Sequence, residues 1–397
     1  MSTAFDASTD GLRPDGRLVQ YDVVSGGLQT LIPSPCVQNH AANLARLPDG
    51  DLACVWFGGT QEGIPDISIW MSRLPAGADA WEAPVKLSED ASRSEQNPVL
   101  FNAPDGKVWL LWTAQINGRQ DTSIVRARVS EDSGRSWGPI HTLIDEPGTF
   151  IRQPIVVRED GTWLLPVFLC HTEPGVAWVG DADTAAVKIS QDQGRSWRHV
   201  DVPDSLGAVH MNIVPLGGQR MVAFFRSRWA DFVRRSWSED GGESWSPTED
   251  TELPNNNSSI QVRRLPDGRL AMVHNFASRL DAIERRVSLY DEIEDPEAGA
   301  AAPAAPAQGE TEGPRAFWGA PRAPMTLSLS ADEGRSWPVR HDLEEGDGYC
   351  MSNNSKDSKN RELSYPSILA TEDGRIHVAY TWFRKAIKYL TFEARRV

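Results

Sequence analysis

The chain has 397 residues, with 40 Lys and Arg against 55 Asp and Glu and a formal net charge of −15 at pH 7. So acidic a balance argues against nucleic acid or an anionic membrane as partners, while leaving room for a small acidic ligand held by a few local arginines. No apolar run reaches the roughly 18 residues of a membrane span, and the opening MSTAFDASTD has neither a basic start nor an apolar core, so a cytoplasmic protein is expected.

In chain order, residues 17–24 (RLVQYDVV) read as a strand with no evident hairpin partner. After it, short Asp-Gly turns recur at Asp49-Gly50, Asp105-Gly106, Asp160-Gly161, Asp267-Gly268 and Asp373-Gly374, with Gly217-Gly218 taking the same place once. Each turn separates two apolar runs, as in NPVLF and KVWLLW, which is the pattern of a β-hairpin. A second repeat, SxDxGxxW, occurs at 130–137, 190–197, 238–245 and 330–337. Its spacing suits a tight turn: Ser and Asp accept backbone N–H groups, Gly supplies a positive φ, and Trp folds back to bury its ring. A degenerate version ends at Trp81. Two hairpins per unit and six units, with no helical periodicity, predict an all-β six-bladed β-propeller of four-stranded antiparallel blades in a single domain.

The last unit shows only three strands, YPSILA, IHVAYTW and AIKYLTF. The spare N-terminal strand is therefore expected to complete it and close the ring. Residues 291–314, acidic and rich in Ala and Pro, read as a solvated insertion in the fifth blade, with a lid over the site as the other possibility. The cysteines, Cys36, Cys54, Cys170 and Cys350, are scattered and read as isolated thiols.

Both kinds of turn fall on one face, because two strands separate them. Chemistry is then expected on the opposite face, built from the starts of first strands and the ends of second strands. Polar groups concentrate there: His40, Glu62, Asp66, Glu95, Asn97, Arg152, His171, His210, Asn212, Arg226, Arg228, Asn257, Arg279, Tyr365 and Arg384. Glu62, Asp66 and Glu95 are alternative general acids, provided that burial raises the pKa of the one used. His40 is a hydrogen-bonding candidate, promoted to a base together with His171 or His210 if the reaction is an elimination. The arginines suit bidentate binding of a carboxylate and equally the stitching of blades. Neither a cofactor nor a metal is expected.

The SxDxGxxW motif resembles the Asp box of the sialidase superfamily. The six-unit count and the closing stretch SYPSILATEDGRIHVAYTWFRKAIKYLTF are similar to its BNR-repeat, predicted-neuraminidase branch. That resemblance implies an exo-glycosidase acting on a terminal acidic sugar at the central mouth, with Tyr365 at the position of the family's Tyr nucleophile and Glu362 as a possible partner. An uncharged nucleophile suits an anomeric carbon that bears a carboxylate. Glu62, Asp66 or Glu95 would be the acid/base, and His40, Asn97, Arg152, Arg226, Arg228, Asn257 and Arg384 the substrate-binding set. One departure is plain: where the family carries a first-blade arginine in a FRIP-like motif, this chain has VQNHAAN, and FIRQP with Arg152 falls in the third blade. Alternatives are a polysaccharide lyase acting on a uronate, and a propeller that only binds carbohydrate.

Overall fold

In a computed structural model, residues 12–173, 176–286, 288–290, 292–293 and 314–397 are described. They form six antiparallel sheets in chain order around a central channel, a six-bladed β-propeller. The inner strands are Gln38–Arg46, Ser94–Asn102, Ala208–Gly217, Gln261–Arg264 and Leu363–Ala370. In blade III the inner strand is broken into Thr149–Phe150 and Val156–Val157. The core is distributed between neighbouring blades, as in the cluster of Ala53, Val55 and Phe57 of blade I with Leu100, Leu110 and Trp112 of blade II. Many modest interfaces thereby replace one large core.

The inner strands carry polar residues that tie neighbouring blades together. Leu100 N donates to Asn43 Oδ1 (2.9 Å), Val262 N to Asn212 Oδ1 (2.7 Å) and Ile368 N to Gln261 Oε1 (2.7 Å). Leu44 N donates to Ser367 Oγ (2.9 Å), joining the last blade to the first. Paired amides and hydroxyls of this kind satisfy groups that no water reaches.

The N-terminal segment does close the last blade, but through a different strand from the one expected. Gly27–Ile32 pairs with Ala386–Glu393, while Val19–Tyr21 is a fifth, outermost strand hairpinned onto it. Residues 22–26, with Gly26 at φ 73°, form the turn between these two strands. The Asp-Gly turns and the Asp boxes share one face, as their order requires. Arg73 ties them together, bonding Asp49 Oδ2 (2.7 Å) in the first turn of blade I and Ser133 O (2.5 Å) in the Asp box of blade II. All four cysteines are free thiols. Of the expected insertion 291–314, residues 291 and 294–313 lie outside the described residues. Its flanks place it between Leu270–Asn275 and Met325–Ser330, the second and third strands of blade V.

Candidate active site at the channel mouth

Four inner strands are interrupted by a bulge at the same level, and each places a non-glycine residue at positive φ: Ala41 (63°), Asn97 (49°), His210 (57°) and Tyr365 (51°). The strand register shifts at each of these points. A bulge turns one side chain out of the alternation and aims it along the channel. Strain of this kind persists where the surroundings over-determine it. In Tyr365 the consequence is a phenol pointed into a ring of guanidinium groups.

The Tyr365 hydroxyl accepts a hydrogen bond from Arg226 Nη1 (2.6 Å), and Arg226 Nε donates to Asn257 Oδ1 (2.7 Å). Arg152 and Arg322 lie 5.5 and 5.6 Å from the Tyr365 ring centre. Arg322, which sequence reasoning passed over, binds Glu362 Oε2 (2.7 Å), and Glu362 Oε1 accepts from Arg384 Nε. Arg384 also holds Glu62 Oε2 (2.6 Å). Arg228 pairs with Asp183 (2.6 Å) and is packed among Phe168, Trp178 and Trp318. In this cluster the described residues place five buried arginines, Arg152, Arg226, Arg228, Arg322 and Arg384, against three buried carboxylates, Glu62, Glu362 and Asp183.

Burial pushes Arg226 down to about 9 and Arg152 to about 10, so both remain charged at neutral pH. The Glu362 carboxyl lies well below the usual range: burial alone would raise it, but Arg384 and Arg322 together outweigh that. Arg226 Nη2 and Arg152 Nη1 are buried without a hydrogen-bond partner. Two imidazoles flank the phenol, with ring centres 4.2 Å (His40) and 5.6 Å (His210) from that of Tyr365. Burial, reinforced by the arginines, drives both far below the ordinary histidine value, so both are neutral. His40 Nδ1 bonds Thr381 Oγ1 (2.8 Å), leaving Nε2 without a partner, and His210 Nδ1 is likewise without one.

The nominated residues separate clearly. Tyr365, Glu62, Arg152, Arg226, Arg228, Asn257, Arg384 and His40 are brought together, and Asn97 occupies the corresponding bulge of blade II. Arg152 crosses the channel from blade III and commits Nη2 to the carbonyls of Ala42 (2.9 Å), Tyr365 (3.2 Å) and Pro366 (3.2 Å), so most of its capacity stitches blades. Asp66 is exposed and braces its own loop by accepting from Thr60 N (3.1 Å) and Thr60 Oγ1 (2.5 Å). Glu95 turns outward to Trp112 Nε1 (2.9 Å) and Arg126 (3.4 Å), the counterpart of Asn39 with Trp56 in blade I. Burial raises its pKa all the same. His171 and Arg279 are exposed, and the fifth-blade guanidinium beside Tyr365 is that of Arg322. In the sequence, Arg322 stands in a short Pro-flanked stretch after the insertion, with no motif to mark it.

Comparison with known proteins agrees with the architecture. A family model described as BNR repeat-like domain matches residues 50–378. Among solved structures, Hadza microbial sialidase Hz136 superposes with a TM-score of 0.67 at 13% identity, covering 91% of this chain and 67% of that one. The NanB sialidase of Streptococcus pneumoniae gives 0.65 at 11% identity, covering 97% and 71%. A protein of unknown function from Dyadobacter fermentans gives 0.64 at 15% identity, covering 93% and 100%. At such identities the likeness is one of fold. No curated protein sequence matches.

Proposed function

Since this chain belongs to the BNR repeat-like domain family, we propose that it is a sialidase-like glycosidase that removes a terminal acidic sugar at the mouth of the propeller. The observation that carries this is the charge of the mouth: five buried guanidinium groups against three carboxylates, in a protein of net charge −15, with Arg226 Nη2 and Arg152 Nη1 unpartnered. Buried donors without acceptors are costly, and the carboxylate of a substrate would satisfy them. Tyr365 is the nucleophile in this scheme. Its oxygen forms a bond to the anomeric carbon as the glycosidic bond breaks, and the contact with Arg226 stabilises the developing phenolate. His210 or His40, both neutral, takes the phenol proton. The imidazolium so formed protonates the leaving oxygen, and Glu62, the nominated carboxylate within the arginine cluster, later takes a proton from the water that releases the sugar and returns it to the departing phenolate.

One observation favours elimination as a second reading. The Tyr365 hydroxyl accepts its hydrogen bond from Arg226 and not from a carboxylate, and neutral imidazoles abut the ring. A phenolate or imidazole base beside a guanidinium can abstract the proton next to a uronate carboxylate. The deciding experiment sets wild type beside Tyr365→Phe on a panel of acidic and neutral glycans, following reducing-end release and near-ultraviolet absorbance together. Release without absorbance, lost in the variant, supports the glycosidase. Absorbance moves the assignment to a lyase. Silence with sugar-dependent thermal shifts leaves a binding propeller.

A further inference from the structure

The groups that would touch a sugar are closed off: Tyr365 is 5% exposed, and Arg226 and Arg384 are each 1% exposed. The cover comes from described residues of blade V between its second and third strands, Trp318 and Tyr290. Trp318 lies over Arg226 and Arg228 (5.6 and 5.2 Å) and is pinned by Nε1 to Val179 O (3.0 Å). Tyr290 reaches further, into blade II.

There its hydroxyl meets three glutamines, each from a different strand: Gln96 on the inner strand, Gln115 at the end of the second, Gln120 at the start of the third. Gln120 Nε2 donates to Tyr290 Oη (3.0 Å), and Tyr290 Oη donates to Gln96 Oε1 (3.5 Å). Gln115 faces the same hydroxyl, yet its Oε1 is buried and without a partner. Beyond them, Gln38 accepts from Glu62 N (3.0 Å) while its Nε2 is buried and unpartnered. Two glycines shape the seat. A Cβ on Gly63 would stand 2.9 Å from Tyr290 Cε1, and one on Gly118 would stand 2.9 Å from Tyr290 Cβ.

Packing alone does not call for this arrangement. A ring seated on two glycines could be held by apolar neighbours, and buried amides left half satisfied weaken a fold. Three primary amides anchored on adjacent strands present donors and acceptors in fixed positions, which suits the paired donor and acceptor character of sugar hydroxyls. We infer that the Gln96–Gln115–Gln120 pocket is a subsite for the neutral, hydroxyl-bearing part of the ligand, and that Tyr290 fills it as an internal substitute that the ligand displaces. The assignment of the ligand as a sugar rests on the function proposed above.

The test is calorimetric titration of wild type, Tyr290→Gly and Tyr290→Gly/Gln115→Leu with D-glucuronate, D-glucose and cyclohexanecarboxylate. A crystal of Tyr290→Gly soaked in glucuronate accompanies it. The expected result is glucuronate binding at least about tenfold tighter in Tyr290→Gly than in wild type, reversed by Gln115→Leu, with sugar hydroxyls on Gln96 and Gln120. A gain for glucose equal to that for glucuronate keeps the amide subsite and removes the acidic-sugar assignment. No gain, an equal gain for cyclohexanecarboxylate, or a gain indifferent to Gln115→Leu overturns the inference. If Tyr290→Gly does not fold, Tyr290→Phe keeps the ring and deletes only the hydroxyl. It should bind glucuronate more tightly than wild type by a smaller factor, and unchanged binding overturns the inference equally.

Discussion

Tyr365 is held at φ 51° by a bulge that three other blades repeat, and its hydroxyl is the acceptor of Arg226. Arg226 therefore spans two acceptors at once, Tyr365 Oη and Asn257 Oδ1. A lysine offers a point charge that cannot reproduce this fork. Arg226→Lys should lower kcat/KM on the substrate identified by the glycan panel by about tenfold or more, with little change in Tm, and steady-state kinetics beside a thermal melt checks it. Tyr365 stands out in the sequence because it falls near the start of the first strand of the last unit, where the resemblance places a Tyr. Arg322 does not, because nothing local distinguishes a guanidinium that meets Glu362 from one that faces water. Only the folded ring brings residues 322, 362 and 384 to the same point.

Among the elements, the Asp box is a hydrogen-bonded turn. In the blade V copy, Ser330 Oγ donates to Asp332 Oδ1 (2.8 Å) and accepts from Gly334 N (2.8 Å), while Asp332 Oδ1 accepts from Ser336 N (2.8 Å). Gly334 has φ 86°, and a Cβ there would lie 2.3 Å from Phe224 Cζ of blade IV. Gly334→Ala should accordingly cost roughly 2–4 kcal/mol in a denaturant melt, from backbone strain plus overpacking, with catalysis intact in the folded fraction because the turn is on the far face. The closing strand permits a graded test. Deleting residues 1–25 removes the outer strand with buried Tyr21 and Val24, whereas deleting 1–33 also removes the partner of Ala386–Glu393. The second truncation should lower Tm far more than the first, and equal effects would contradict the pairing.

For the whole molecule, stability should fall on mild acidification. Burial lowers His274 and His377 from 6.5 to about 4. His274 is fixed as the neutral form in which Nδ1 donates to Asn275 O (3.1 Å) and Nε2 accepts from Ser328 (2.9 Å). A base with a lower pKa in the folded state binds fewer protons folded than unfolded between the two values, so each histidine destabilises the fold as the pH drops from 6.5 towards 4. The loss approaches roughly 3 kcal/mol per histidine by the lower limit, and buried His40 and His210 act in the same direction. Glu362, whose folded pKa is depressed, contributes stability above its unfolded value near 4.5 that is lost only at still lower pH. Denaturant unfolding at pH 7 and pH 4.5 checks this, and equal free energies would contradict it.

What the sequence by itself determined was the architecture: turn residues and strand runs at a fixed period specify hairpins locally, and hairpins that cannot bury their faces alone must stack into a closed ring. It also set the turns on one face and the starts of the inner strands on the other, since that follows from counting strands between turns. The tertiary structure decided which of the nominated carboxylates meets the arginines, selecting Glu62 over the exposed Asp66 and the outward-turned Glu95. It decided too that Tyr290 of blade V sits in the blade II pocket. Contacts between residues nearly 200 positions apart depend on the curvature of the ring and on side-chain direction at the bulges, and neither leaves a periodic trace in the chain.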